Sequence, residues 1–323
     1  MELIEIVGPG HIQQFSSLLD RSFSLHKGMH YLDDFPIWSF THPSVVRFGA
    51  LSEKKELIAS AGVRLVSLRL RRGDTSDAGP QSVLAALIGA VATDENYRGQ
   101  GLASRLVSRV LEWSRAKGAA VAILWGAEHS LYAKLGFSLC GTQALVALES
   151  LNLPATPGVL KKGWNPQIFD LLLDRKDGAI LTVQDRHWFE SHRHVDWYWI
   201  GKNEKESLPL AYAAVGRGID LGGLIHEWGG ETRALLALLG RLKSEHPSLT
   251  LLGSPGGLEE RGLSLKEARQ EYLFLANVLQ PELLGLDAAD LQRTRPEGLG
   301  ELCFGAPDKP AKNELWIWGL DAV

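Results

Sequence analysis

Residues 97–103 read Tyr97-Arg98-Gly99-Gln100-Gly101-Leu102-Ala103. An apolar run at 83–92 precedes them, and a helix-patterned run at 102–117 follows. Strand, glycine-rich turn and helix in that order build a pocket of backbone N–H groups at a helix N-terminus, which suits a phosphate. Gly99 and Gly101 let the backbone approach such an anion closely. One helix terminus contributes only about 0.3–1 kcal/mol toward an exposed anion, so several N–H groups within 99–104 must share the task.

The pattern on either side is α/β. Residues 3–7 read as a short strand, and 11–24 carry Ile12, Phe15, Leu18, Leu19 and Phe23 at helical spacing. Segments 45–51 and 57–70 are strand-like, with Lys54 and Lys55 in the turn between them. The polar stretch 71–81 reads as a loop that includes Arg71 and Arg72. The run at 83–92 is almost wholly apolar, as expected for a strand covered on both faces. In the helix after the turn, Leu102, Leu106, Val107, Val110 and Leu111 share one face, and Gly118 suits its C-terminal end. Residues 121–125 then form a buried strand, 129–135 a short helix stopped by Gly136, and 137–148 a strand expected to complete the sheet.

Two motifs give this half a family likeness. Arg98, Gly101 and Ala103 fit the pattern Arg/Gln-x-x-Gly-x-Gly/Ala, and Tyr132-Ala-Lys-Leu-Gly136-Phe137 fits Tyr-x-x-x-Gly-Phe. Over about residues 1–148, with the motifs confined to 91–137, the chain resembles the GNAT superfamily of N-acetyltransferases. The resemblance implies acetyl-CoA as co-substrate, without a metal. It implies a pyrophosphate held by Arg98, Gly99, Gln100, Gly101, Leu102, Ala103 and Ser104. The pantetheine arm would lie against the backbone of Val91, Ala92 and Thr93, pairing as an added strand does.

A thioester attacked by an amine needs a neutral amine, a polarised carbonyl and a proton for the departing thiolate. The likeness assigns that proton to Tyr132. The base stays open among Glu128, His129 and water, and Asp33 and Asp34 are candidates to contact the acceptor amine. The C-terminal carboxylate of Val323 is a further candidate, because the aromatic tail 315–323 resembles that of a multi-domain branch of the family typified by the enhanced intracellular survival acetyltransferases. In that branch the terminal carboxylate enters the active site.

The second half repeats part of the plan. Segments 210–215 and 224–228 are strand-like, 231–245 is helical, and 249–252 occupies the place of 121–124. The turn before this second helix reads Glu227-Trp-Gly-Gly-Glu231-Thr232, with no Arg-x-x-Gly element. Its two carboxylates would repel a pyrophosphate. The expected organisation is therefore a mixed α/β protein of two GNAT-like domains, each a twisted mixed sheet flanked by helices. A catalytic domain at 1–150 would be joined by a linker at 151–166 to a degenerate copy at 167–323 that has lost coenzyme A.

Composition narrows the partners. At 323 residues, with 45% hydrophobic residues and a mean hydropathy of -0.05, the chain suits two globular domains. A net charge of -4 argues against nucleic acid as the main partner and favours a cationic acceptor, although a lysine side chain or peptide N-terminus stays open. No apolar run approaches the ~20 residues that span a bilayer. The opening Met-Glu-Leu-Ile-Glu-Ile lacks a secretion signal's basic start and long apolar core, so a cytoplasmic location is expected. Cys140 and Cys303 are too few for a disulfide framework and read as small buried hydrophobes. His187, His192 and His194 lack a recognised zinc spacing and sit among aromatic residues, which points to a core. The expected activity is acetyl transfer from acetyl-CoA to a primary amine of a small molecule or peptide. A coenzyme A-binding sensor or scaffold that does not turn over is the alternative.

Overall fold

A computed structural model describes residues 2–23, 25, 28–72, 81–154, 159–201, 208–309 and 311–322. The chain begins with β1 (Glu2–Glu5), α1 (Pro9–Ser22), α2 (Tyr31–Asp34), β2 (Val45–Leu51), β3 (Leu57–Arg72), β4 (Gln81–Thr93), α3 (Leu102–Ala116), β5 (Val121–Leu124) and α4 (His129–Ala133). It continues through β6 (Ser138–Ala147), β7 (Leu160–Lys162), α5 (Ile168–Leu173), α6 (Arg186–Glu190), β8 (Asp196–Ile200), β9 (Ala211–Arg217), β10 (Asp220–Gly230), α7 (Thr232–Glu245), β11 (Thr250–Gly253) and α8 (Pro255–Glu260). It closes with β12 (Arg269–Val278), α9 (Ala288–Arg293), α10 (Leu299–Phe304) and β13 (Asn313–Leu315). Among the described residues, no helix is long and apolar enough to cross a membrane.

Two compact units result, and neither is continuous in sequence. The first takes Met1–Gly141 and Leu273–Leu315, the second Thr142–Tyr272 and Trp316–Ala322. A consecutive division at 151–166, with 167–323 as one domain, is therefore corrected. Strand pairing is the reason. Residues 144–147 of β6 pair antiparallel with β11 in the second unit rather than completing the first sheet. The place beside β5 goes to β12, with Leu275 opposite Leu124 and Val278 opposite Val121. A period-2 pattern tells which face of a strand is buried, not which strand lies next to it. The expected linker also contains β7, which pairs with β8.

In the first unit the strand order is β1-β2-β3-β4-β5-β12, antiparallel except for the parallel β4–β5 pair. β13 takes the end of β3, placing Glu314 opposite Arg71. Arg71, expected in a loop, thus lies in a paired strand. α3 packs on β2, β3 and β4, with Leu102, Leu106, Val107 and Val110 all buried against Ala61, Val63, Ala86 and Ile88. α1 packs on β3 and β4 as well, which accounts for the near-complete burial of β4.

The second unit has the order β6-β11-β10-β9-β8-β7, with β10 and β11 parallel. α7 lies on β8, β9 and β10. Its core is rich in aromatic residues, including Trp188, Phe189, Trp197 and Tyr212.

Candidate active site

β4 and β5 pair only from Ala85 opposite Val121 to Ile88 opposite Leu124. Past that point β4 bulges, since its register against β3 slips between Gly62–Gly89 and Ser60–Ala92. Ala90 sits in the bulge with φ +51°, a left-handed conformation that costs a non-glycine residue roughly 1–2 kcal/mol. The fully buried Ser60 hydroxyl donates to the Ala90 carbonyl at 2.9 Å and holds it there. Ala92 and Thr93 pair with β3 on one side. On the other, the backbone of Val91, Ala92 and Thr93 faces away from any pairing with β5. That edge is what an extended amide-bearing ligand would use.

The turn at 98–104 follows. Gly99 and Gly101 take φ +75° and +72°, and a Cβ at either would meet nothing within 4 Å. Glycine is needed there for backbone conformation, not for space. Gly101 caps α3, whose first intrahelical bond runs from Arg105 N to Gly101 O at 3.1 Å. The amides of Leu102, Ala103 and Ser104 thus belong to the first turn, where no intrahelical acceptor exists. Leu102 is buried in the core, so only its backbone can serve a ligand. Arg98 turns back, its Nε donating to Thr93 O at 3.4 Å, which ties the end of β4 to the loop. Asp94 caps the turn at Asn96 N and pairs with Arg21 at 3.5 Å. Beside this pair a cleft of about 900 Å³ opens between α1, the start of β3 and residues 94–97.

Tyr132 lies on α4, past the end of β5. Its ring rests against Gly126, two residues beyond the last paired residue of β5. A Cβ at Gly126 would come within 2.8 Å of the ring and 3.4 Å of the phenol oxygen. Phe137 closes another side edge-on, with ring centroids 5.9 Å apart. The phenol therefore stands over the end of β5 where pairing with β4 has stopped. Burial, and secondarily the Glu128 carboxylate, push its pKa above the ordinary tyrosine value. Glu128 is exposed and caps α4, its carbonyl accepting from Leu131 and Tyr132. His129 is also exposed. Asp34 is buried, 1% exposed, in the last turn of α2, whereas Asp33 is partly exposed. Val323 lies outside the described residues.

Three residues of this site gave no signal in the sequence: Ser60, Gly126 and Asn277. Asn277 donates to Leu135 O at 2.7 Å from β12, 142 positions away. A bulge partner or a contact between distant strands leaves no periodic mark.

The second unit carries counterparts with different side chains. β10 and β11 pair at Leu224–Thr250 and Ile225–Leu251, and a register shift in β10 follows at once. Beyond it the buried indole of Trp228 donates to Leu252 O at 2.8 Å, bonding across to β11 itself. Gly253, two residues past Leu251, matches Gly126. A Cβ there would meet Leu258 of α8 at 2.9 Å and Trp228 at 3.0 Å. Leu258 thus stands where the first unit has Tyr132. A cleft of about 460 Å³ remains, lined among others by Gly230, Glu231, Arg261 and Trp318. His192 is buried and bonded to Trp188 O, while His187 and His194 are exposed. Among the described residues, no three His, Cys, Asp or Glu side chains converge as a metal site. Cys140 and Cys303 are both buried and free, and burial raises both thiols, that of Cys303 to about 12.

Residues 9–140 match the family model for the acetyltransferase (GNAT) domain. No curated protein matches the chain. Solved structures similar to it include a probable N-acyltransferase from Enterococcus faecalis, 15% identical, covering 86% of this chain and 72% of that one with a TM-score of 0.60. A GCN5-related N-acetyltransferase from Kribbella flavida is 19% identical over 88% and 72% of the two chains, also at 0.60. Eis1 from Mycobacterium abscessus is 14% identical over 88% and 75%, at 0.57. At these identities the likeness is one of fold, and it extends through both units.

Proposed function

We propose that this chain, a member of the GNAT superfamily, is an N-acetyltransferase that moves the acetyl group of acetyl-CoA to a primary amine, with its active site in the first unit. One observation carries the reading. The end of β4–β5 pairing, the free first turn of α3 and the boxed phenol of Tyr132 fall at one end of the same strand pair.

In this reading the amides of 99–104 hold the pyrophosphate, Arg98 orders their loop, and the backbone of Val91, Ala92 and Thr93 pairs with the pantetheine amides. The neutral amine attacks the thioester carbonyl, forming the C–N bond. As the C–S bond breaks, Tyr132 gives its proton to the sulfur and recovers one from the cationic nitrogen through water. Glu128, four residues before Tyr132, is the nearest candidate in sequence to take the proton that an acceptor ammonium must shed before it attacks. The net negative charge of the chain favours a cationic small molecule as acceptor. The second unit takes no coenzyme A in this reading. Support comes from Trp228, whose indole reaches across to Leu252 O of β11 and fills the gap past the end of β10–β11 pairing that the arm would need, and from Leu258 in place of an acid.

The test is thiol release from acetyl-CoA with spermidine, kanamycin and a lysine-containing tripeptide as acceptors. Release that depends on an acceptor and falls about 10²–10⁴-fold in Tyr132→Phe, at unchanged coenzyme A affinity, is the expected result. Tight coenzyme A binding without release on any acceptor would turn the reading toward a sensor.

A further inference from the structure

α4 has five residues, too few to hold a helix by itself. Its end is a turn in which Leu135 and Phe137 both send their N–H groups back to the Tyr132 carbonyl, at 2.9 and 3.1 Å. Gly136 lies between them with φ +86°. The carbonyl of Leu135 faces out of this turn and accepts from Asn277 Nδ2 at 2.7 Å. Only the amide nitrogen of Asn277 can donate to a carbonyl, so the contact fixes how that side chain is turned. The same nitrogen lies 2.9 Å from where a Cβ on Gly136 would stand, filling the space the glycine leaves. Asn277 itself is set by β12, opposite Ala122 of β5.

We propose that Asn277 is the positioning residue for Tyr132: it pins the turn whose amides hold the Tyr132 backbone, and so fixes the phenol over the end of β5. The proposal rests on the reading of Tyr132 as the acid. Gly126 below and Phe137 at the side confine the ring, and Asn277 ties the backbone at the end of α4 to β12. β12 does not depend on it, because Leu275 and Leu279 are buried in the core with α3. A strand encoded far beyond the family's own motifs therefore completes the site.

Asn277→Asp keeps the shape and loses the donor, while Asn277→Ser restores a shorter one. In the thiol-release assay, Asn277→Asp should lower kcat roughly 10–100-fold with coenzyme A affinity unchanged by calorimetry, and Asn277→Ser should recover part of it. A second readout needs no acceptor. An ultraviolet alkaline titration of Asn277→Leu, which removes the donor without adding a charge, should show the Tyr132 phenol moving down toward the ordinary tyrosine value as burial is lost, with the same variant carrying Tyr132→Phe as the blank. Wild-type kcat in Asn277→Asp beside an inactive Tyr132→Phe would overturn the proposal alone. So would an unmoved phenol titration, or a loss of coenzyme A affinity in step with kcat. Full turnover in Tyr132→Phe would overturn the acid reading, and the proposal with it.

Discussion

Tyr132 shows how a few neighbours set a side chain's chemistry. Burial and the Glu128 carboxylate both disfavour the phenolate, so the hydroxyl stays protonated through the neutral range and available to a leaving sulfur. If Tyr132 must be protonated, the alkaline limb of kcat lies above the ordinary tyrosine value. Removing the Glu128 charge makes the phenolate less costly, so Glu128→Gln should move that limb to lower pH. A limb that stays in place on a full pH–rate profile would separate the two residues. Gly126 is the other control. In Gly126→Ala the new methyl would lie 2.8 Å from the ring, and the ring must shift. Overpacking of this kind costs about 1–3 kcal/mol. The expected outcome is a kcat lowered roughly tenfold with coenzyme A affinity kept, since displacement rather than loss of the acid is involved.

Among the elements, β4 and its bulge do the most to make a site. Ser60 is the clasp, and Ser60→Ala leaves the Ala90 carbonyl buried without its partner, a loss of about 1–3 kcal/mol. The amides of 91–93 are then held less firmly. The KM for acetyl-CoA should rise several-fold while kcat at saturation stays put, and equal changes in both would contradict the assignment. The strand, the helix and the two glycines were legible from residues alone, because apolar periodicity and conformational need both leave marks in sequence. Leu102 to Ala116 emerged within a residue of the expected helix. The bulge left none: Ala90 is an ordinary residue in an ordinary apolar run. Nor could the sequence assign neighbours. The apolar pattern of 137–148 suits either sheet, yet residues 144–147 pair with β11 and it is β12 that takes the place beside β5. Asn277 was invisible for the same cause.

At the scale of the whole molecule, two units share a fold and differ in what fills it. The second is locked around its own charges. Arg175 donates to both oxygens of Glu227 and both of Asp321, at 2.9–3.1 Å, with all three side chains buried. Arg217 holds the carbonyls of Gly319 and Ala322, so the tail 316–322 is docked within the second unit. Arg175→Met strands two buried carboxylates and should cost about 3–5 kcal/mol in urea unfolding. Acid should weaken this unit too. Burial lowers His192 to about 3 and His226 to about 4, so both stay neutral in the folded chain at pH 5. Unfolded, each takes up a proton below about 6.5, and stability therefore falls as pH drops from there toward 4. At pH 5 the loss is on the order of 2 kcal/mol per histidine, opposed by Glu227, which burial raises to about 8; comparing the pH 7-to-5 change of the wild type with that of His192→Gln isolates it, and identical changes would contradict it. The proposed function requires one coenzyme A site per chain, in the first unit. Calorimetric titration of coenzyme A into the wild-type chain and Gly101→Val tests it most directly. One equivalent should bind to the wild type and none to the variant, whose left-handed cap a β-branched residue cannot adopt without strain. Two equivalents in the wild type, or one retained in Gly101→Val, would contradict it.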